Sequence, residues 1–248
     1  MRKTTLLFAF FFAIVFSLSA QNLPNKDVVL EKVWKAVGGK SAFEKSRYLE
    51  FTFAPIRQGN QSAGRHHIWD RYTGDYRFES TADNGTKTVV LFNVNNKKGK
   101  AYENGNLLPD STSNKIINRA YAAYINDSYW LMSPLKLQDE GVNTQLEDNQ
   151  EINNQTCNVI HLNFDKVGLT PGDQYWMYVN EKTGEIIQWK FLLQNQKNSS
   201  IFEWEPYQDL GNGLKLSVKK TNKESSTSIY FPVAKVLQKV DNNIFTKP

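Results

Sequence analysis

The segment 175-YWMYVNEKTGEIIQWKF-191 decides the architecture. Two aromatic-rich runs flank a polar break that ends in Gly184, which suits the left-handed position of a short hairpin loop. The segment therefore predicts an antiparallel hairpin. A loop at 181–184 places Trp176 near Trp189 and Tyr178 near Ile187. Alternate residues of a strand point the same way, so these four share one face, with Phe191 beside them. Met177 and Val179 then fall on the second face, which is partly covered too.

The same period extends outward in both directions. Strands are expected over 143–150, 156–164, 200–207, 213–221 and 227–240 in the second half. The first half offers 47–55, 64–72, 75–81, 87–95 and 99–105, separated by Gln58-Gly59-Asn60, Thr73-Gly74, Asn84-Gly85 and Asn95-Asn96. Short strands at regular spacing with hairpin-like breaks predict a mostly antiparallel meander.

Two regions break this period. Val29, Val33, Trp34 and Val37 share one face of a helix over 26–37, capped by Asn25 or Asp27 and ended by Gly38-Gly39. Ser41 is placed to cap one further turn. In mid-chain, Ile116, Ile117, Ala120, Tyr121 and Tyr124 recur at helical spacing over 114–125, behind Asn114 as cap. An apolar knot, 126-NDSYWLMSPLKLQDEGV-142, follows with neither period.

The first 20 residues have the form of a cleaved signal peptide: Arg2 and Lys3, an apolar run from Leu6 to Leu18, and small residues before Gln21. The apolar run is short for a membrane span, and no Cys follows the cleavage site to take a lipid anchor. An exported protein with no transmembrane segment in its mature chain is expected, in the periplasm or secreted, with 21–248 as a single domain. Without Arg2 and Lys3 the 30 basic residues fall to 28, against 25 acidic ones. That balance does not point to nucleic acid. Cys157 is the lone cysteine, so no intrachain disulfide forms.

No nucleophile elbow, zinc-protease helix, Cys-x-x-Cys, P-loop or dinucleotide fingerprint is present. Neighbours in a strand point to opposite faces, so His66 and His67 do not easily bind one metal. No catalytic residue, metal or cofactor is assigned, and an enzyme is not expected. The aromatic residues remain: Trp69, Tyr76, Phe78, Trp176, Tyr178, Trp189 and Trp204 lie on strands at alternating spacing. They build either an ordinary core or the lining of an apolar cavity on the concave face of a curved sheet.

The order of elements resembles the LolA/LolB-like superfamily, and more closely the exported Bacteroidota relatives grouped as outer membrane lipoprotein-sorting proteins. The resemblance is carried by 36-AVGGKSAF-43, 66-HHIWDRYTGDYRFES-80, 89-VVLFNVNNKKGKAYENG-105, 129-YWLMSPLKLQDEGV-142 and 244-IFTKP-248. It implies a mainly β, α+β fold: one antiparallel sheet of about 11 strands curved into an incomplete barrel, with helices over the open side. It implies a lipid or lipoprotein acyl chain as ligand, with envelope proteins as further partners. In that family an Arg shortly after a Trp helps hold the lid closed, and 69-WDR-71 makes Arg71 the corresponding latch here.

With that lid, helix 114–125 and the plug YWLMSPL cover the cavity, and Tyr121, Tyr124, Trp130, Leu131 and Phe191 join its lining. Asn126, Asp127, Asp139 and Glu140 then face water. Two other functions compete with the carrier: an envelope interaction module whose sheet is filled by its own side chains, and a metal-dependent hydrolase or lectin using His66 and His67.

Overall fold

The computed structural model describes residues 24–165, 172–222 and 224–248. The expected signal peptide lies outside them. Helix α1, Lys26–Ala36, starts where Asn25 accepts a hydrogen bond from the Asp27 N–H at 2.9 Å. Helix α2, Lys40–Lys45, begins directly after Gly39 with no side-chain cap, so Ser41 does not play the expected role.

Five strands of the first half pair in sequence, β1 Tyr48–Arg57, β3 Arg65–Asp70, β4 Asp75–Thr81, β5 Lys87–Asn93 and β6 Gly99–Glu103; the two-residue β2 Asn60–Gln61 folds back on β1, and the short β7 Asn106–Leu107 follows on β6. Helix α3 then runs from Asp110 to Met132, and a single 3-10 turn covers Ser133–Leu135. The second half contributes β8 Val142–Ile152, β9 Gln155–Phe164, β10 Gln174–Asn180, β11 Ile186–Leu192 and β12 Ser200–Trp204. After a small separate hairpin, β13 Gln208–Asp209 with β14 Lys215–Leu216, come β15 Lys219–Asn222, β16 Thr227–Tyr230 and β17 Ala234–Leu237.

The two halves form two antiparallel meanders placed back to back. The order across the sheet is β7-β6-β5-β4-β3-β1-β16-β15-β12-β11-β10-β9-β8, and the sheet does not close into a barrel. β1 joins the halves: Tyr48–Phe51 pair with β17, and Ala54–Arg57 pair with β16. The single strand expected over 227–240 is therefore two, separated at 231–233. Because β7 and β8 lie at opposite edges, the helix that links them must cross the whole concave face.

The expected plug is part of that helix. α3 starts four residues before Asn114 and continues through Tyr129, Trp130 and Leu131. Its buried residues Ile117, Ala120, Asp127 and Leu131 recur at intervals of three, seven and four, so a single stripe faces the sheet along its length.

The decisive hairpin forms with a register different from the expected one. Val179 pairs with Ile186, as a loop at 181–184 requires, and the Asn180 N–H donates to the Glu185 carbonyl at 2.8 Å. One step further Tyr178 pairs with Gln188, leaving Ile187 as the extra residue of a β-bulge. Beyond the bulge Met177 lies opposite Trp189 and Trp176 opposite Lys190. A slip of one residue moves a side chain to the other face. Tyr175, Met177, Trp189 and Phe191 therefore face the main core. Trp176, Tyr178 and Ile187 join Cys157 and Val159 in a small cluster on the other face.

Gly184 closes this hairpin at φ +75°, and a Cβ there would stand 2.4 Å from the Lys32 carbonyl oxygen of α1. Gly105 shares the positive φ, +82°, with open space around it. Gly105→Ala should cost about 1 kcal/mol from backbone strain alone, and Gly184→Ala about 2–3 kcal/mol because α1 must also shift. Denaturant unfolding of the two variants checks the ordering; equal losses would show that α1 does not press on the turn.

Candidate functional site

The two ends of α3 meet the sheet differently. Along its first half the helix settles into a filled cluster. Tyr76 is 0% exposed and Phe78 7%, beneath Ile117 and Ala120. The Tyr124 ring stands edge-on to Tyr76 at 5.0 Å and to Trp69 at 5.3 Å, with Tyr121 at 5.8 Å. Of the side chains expected to line a cavity, Tyr76 and Phe78 here belong to this packed cluster, with Trp69 and Tyr121 partly buried against it.

The second half stands over an open space. A cavity of about 480 Å³ lies between 124–130 of α3, the 136–142 connection and the inner face of β9–β11. Its apolar wall is made by Tyr129, Trp130, Phe164, Tyr175, Trp189 and Phe191. Trp130 lies against Trp189 at 4.8 Å and Phe202 at 4.9 Å. Exposed Asn126, Asp139 and Glu140 line the cavity as well, so it reaches solvent. Burial pushes the Tyr124 phenol up to about 12 and the Tyr129 phenol well above its usual value, so both stay neutral near pH 7.

Of the residues expected at the ligand, the structure brings Tyr124, Trp130, Trp189 and Phe191 to this cavity. Leu131 turns into the main core at 3% exposure. Trp176 and Tyr178 lie behind the sheet because of the bulge at Ile187. There Trp176 is enclosed by His161, stacked at 4.8 Å, and by the Lys190 ammonium, 4.1 Å from its ring centroid.

The latch is also elsewhere. Arg71 donates to the Phe43 and Ser46 carbonyls at 2.6 and 2.7 Å and lies 3.5 Å from the Phe43 ring centroid. It fastens the end of α2 to the sheet, and none of these contacts is to α3. The residue that ties α3 down is Asp127, expected to face water but 0% exposed. Arg65 of β3 grips it with both arms, Nε at 2.7 Å and Nη2 at 2.6 Å. His67, also 0% exposed, meets the same carboxylate through Nε2 at 3.0 Å.

The hydrogen bonds fix the tautomer of His67. A carboxylate only accepts, so Nε2 carries the proton and Nδ1 accepts from the Tyr76 hydroxyl at 2.8 Å. Burial lowers the His67 pKa against the pull of Asp127, and the ring is neutral. Burial also opposes the charge on Asp127, but the Arg65 and His67 hydrogen bonds outweigh it and hold the carboxyl below its ordinary value. Phe51 stacks on His67 at 4.6 Å, so this Tyr–His–Asp chain has no access for a substrate. His66 points to the other face, with Thr52 Oγ1 at 2.9 Å and Glu50 at 3.4 Å. Among the described residues no group of three or more His, Cys, Asp or Glu is placed to hold a metal ion.

A family model matches residues 4–214. The chain belongs to DUF6503, a family of unknown function. No curated protein matches it. Solved structures with a similar fold include a DUF1329 family protein from Desulfovibrio piger, with 12% identity, coverage of 88% of this chain and 96% of the other, and a TM-score of 0.49. A LolA superfamily protein from Nitrosomonas europaea matches with 12% identity, covering 89% and 97% of the two chains, at a TM-score of 0.49. A domain described as outer membrane lipoprotein-sorting, from Vibrio parahaemolyticus, matches with 12% identity over 88% and 95%, also at 0.49. The sequence resemblance names the same superfamily as the second of these structures. At this identity it concerns the fold and no ligand.

Asp127→Asn should destabilise the protein by about 3 kcal/mol, as expected when one partner of a buried pair loses its charge; the solvent-exposed edge of Arg65 keeps the loss at the low end of the range. Denaturant unfolding measures it. Asp127 and His67 both have folded-state values below their ordinary 3.8 and 6.5. Their stabilisation is present above those ordinary values and is lost as pH falls through the folded ones. The unfolding midpoint should therefore drop below about pH 6.5 through His67 and further below about pH 3.8 through Asp127, and this second drop should be absent in Asp127→Asn. A profile of the same slope in both proteins would remove Asp127 from the account.

Proposed function

We propose that this protein is a non-enzymatic carrier of the cell envelope that holds an apolar ligand, a lipid or a lipoprotein acyl chain. The mature chain, 21–248, acts as one half-barrel domain after its signal peptide is removed during export. The observation that carries this reading is the unfilled space beneath the second half of α3. Aromatic side chains fill the first half of the same interface to contact, while about 480 Å³ stays open beside Trp130, Trp189 and Phe191. Pockets for small ligands are of this size, concave and mainly apolar.

The energetics favour an acyl chain. Each methylene removed from water contributes about 0.8 kcal/mol. Neutral tyrosines and tryptophans offer such a chain no unpaired charge to desolvate. Of the charged side chains, Lys136, Asp139 and Glu140 belong to the connection after α3, where a polar head group would sit, while the buried Asp173 accepts hydrogen bonds from the Tyr175 hydroxyl and the Gln194 N–H. The competing module with a self-filled sheet describes only the Tyr76–Tyr124 half of the interface.

The test is a titration of mature protein with dansyl undecanoic acid, followed by dansyl emission. Leu193→Trp, which narrows the cavity without adding charge, and Trp130→Asp should each weaken binding at least tenfold. Trp176→Ala, behind the sheet, should bind as wild type does. Wild-type binding by the first two variants, or an equal loss in the third, would exclude this cavity as the site.

A further inference from the structure

We propose that the outer edge of β8 is a docking strand for an extended, basic segment of another protein. The two edges of the sheet are finished differently. At the first, β7 is a two-residue strand, and the backbone of β6 is sealed from outside: the Ala101 N–H donates to Ser113 Oγ and the Ala101 carbonyl accepts from the Leu108 N–H. At the other, β8 presents eleven residues, and no described strand pairs beyond it. Not one of the eleven is buried.

The register shows which backbone groups are on offer. The Asp165 N–H donates to the Gly141 carbonyl, so odd-numbered residues from 141 to 147 bond to β9. Even-numbered ones turn their N–H and C=O outward. The Val142 N–H is taken by the Asp139 carbonyl, and the Thr144 carbonyl accepts from Lys26 Nζ at 3.2 Å. The Thr144 N–H and both groups of Leu146 face outward. A bulge between Glu147 and Gln150 then interrupts the ladder, so an added strand pairs along 142–147.

Charge selects the occupant. β8 carries Glu147 at the end of that stretch, Asp148 and Glu151 just beyond it, and no basic residue; Lys26 is the cation that reaches this edge from α1. Two copies of β8 side by side would bring two sets of these acids together with no base on either strand, which opposes self-pairing. An incoming strand with Lys or Arg at alternate positions meets opposite charge while its backbone completes the ladder. Val142 also lines the cavity, so a docked strand would run past its mouth.

The experiment uses the mature protein and a fluorescein-labelled octapeptide of alternating Lys and Thr, read by anisotropy at low salt. Saturable binding is expected, with none for the Glu–Thr octapeptide. N-methylation of alternate residues of the Lys–Thr peptide should weaken binding at least tenfold, because it removes backbone donors and leaves charge intact. Thr144→Pro removes an outward N–H, a change edge strands tolerate, and should abolish binding with little loss in melting temperature. Should that variant fail to fold, Asp148→Lys/Glu151→Lys, on the exposed side, should weaken binding at least tenfold. Hydrogen exchange at Thr144 and Leu146 should slow in the complex. Absence of saturable binding, equal binding of the N-methylated peptide, or full binding by the variants would overturn the proposal.

Discussion

β7 and β8 are consecutive strands at opposite edges of one sheet, and a single helix must connect them. Thirteen strands abreast, at about 4.8 Å each, describe an arc of roughly 58 Å. The 23 residues of α3 reach about 35 Å. The helix is a chord to the arc, and the residues on either side of it, 108–109 and 133–141, make up the rest of the distance. A covered inner face and a space between chord and arc follow from this connection.

A chord needs a fixed position, and apolar contact alone does not supply one, since a helix can slide along a greasy surface. The Asp127 carboxylate supplies it. Held by Arg65 and His67 near the point where the filled cluster gives way to the cavity, it sets how far each half of α3 lies from the sheet. The cluster on one side can be tight, and the cavity on the other open, because the helix is anchored between them. Arg71 performs a parallel task for α2, which leaves α1 to pack on the β10–β11 turn through the close approach at Gly184.

The strands were legible because alternation and turn residues coincide: the segments around β3, β4 and β5 are bounded by glycine and asparagine turns that the structure also uses. The register of the β10–β11 hairpin was not. Its turn dictates one pairing and the bulge at Ile187 changes it a single step later, and no local residue type announces that bulge. The latch was hidden for a different reason. Asn126 and Asp127 look like a polar loop, yet Asp127 continues the stripe of Ile117, Ala120, Tyr124 and Leu131. An acidic residue on the apolar stripe of a helix was the available signal; its partner Arg65 stands 62 positions earlier in the chain. The cavity's location could not be read at all, since it depends on which aromatic side chains the helix presses flat and which it spans.

The seam at β1 has a consequence for the order of assembly. Each meander is built from neighbours in sequence, and its hairpins can form as soon as their residues are present. The union of the two meanders cannot, because Tyr48–Phe51 and Ala54–Arg57 wait for partners within 227–237. Closing so long a loop is slow compared with local pairing. A chain threaded N-terminus first through a narrow passage would hold its two wings apart until almost its last residues emerged, and only then would the arch lock.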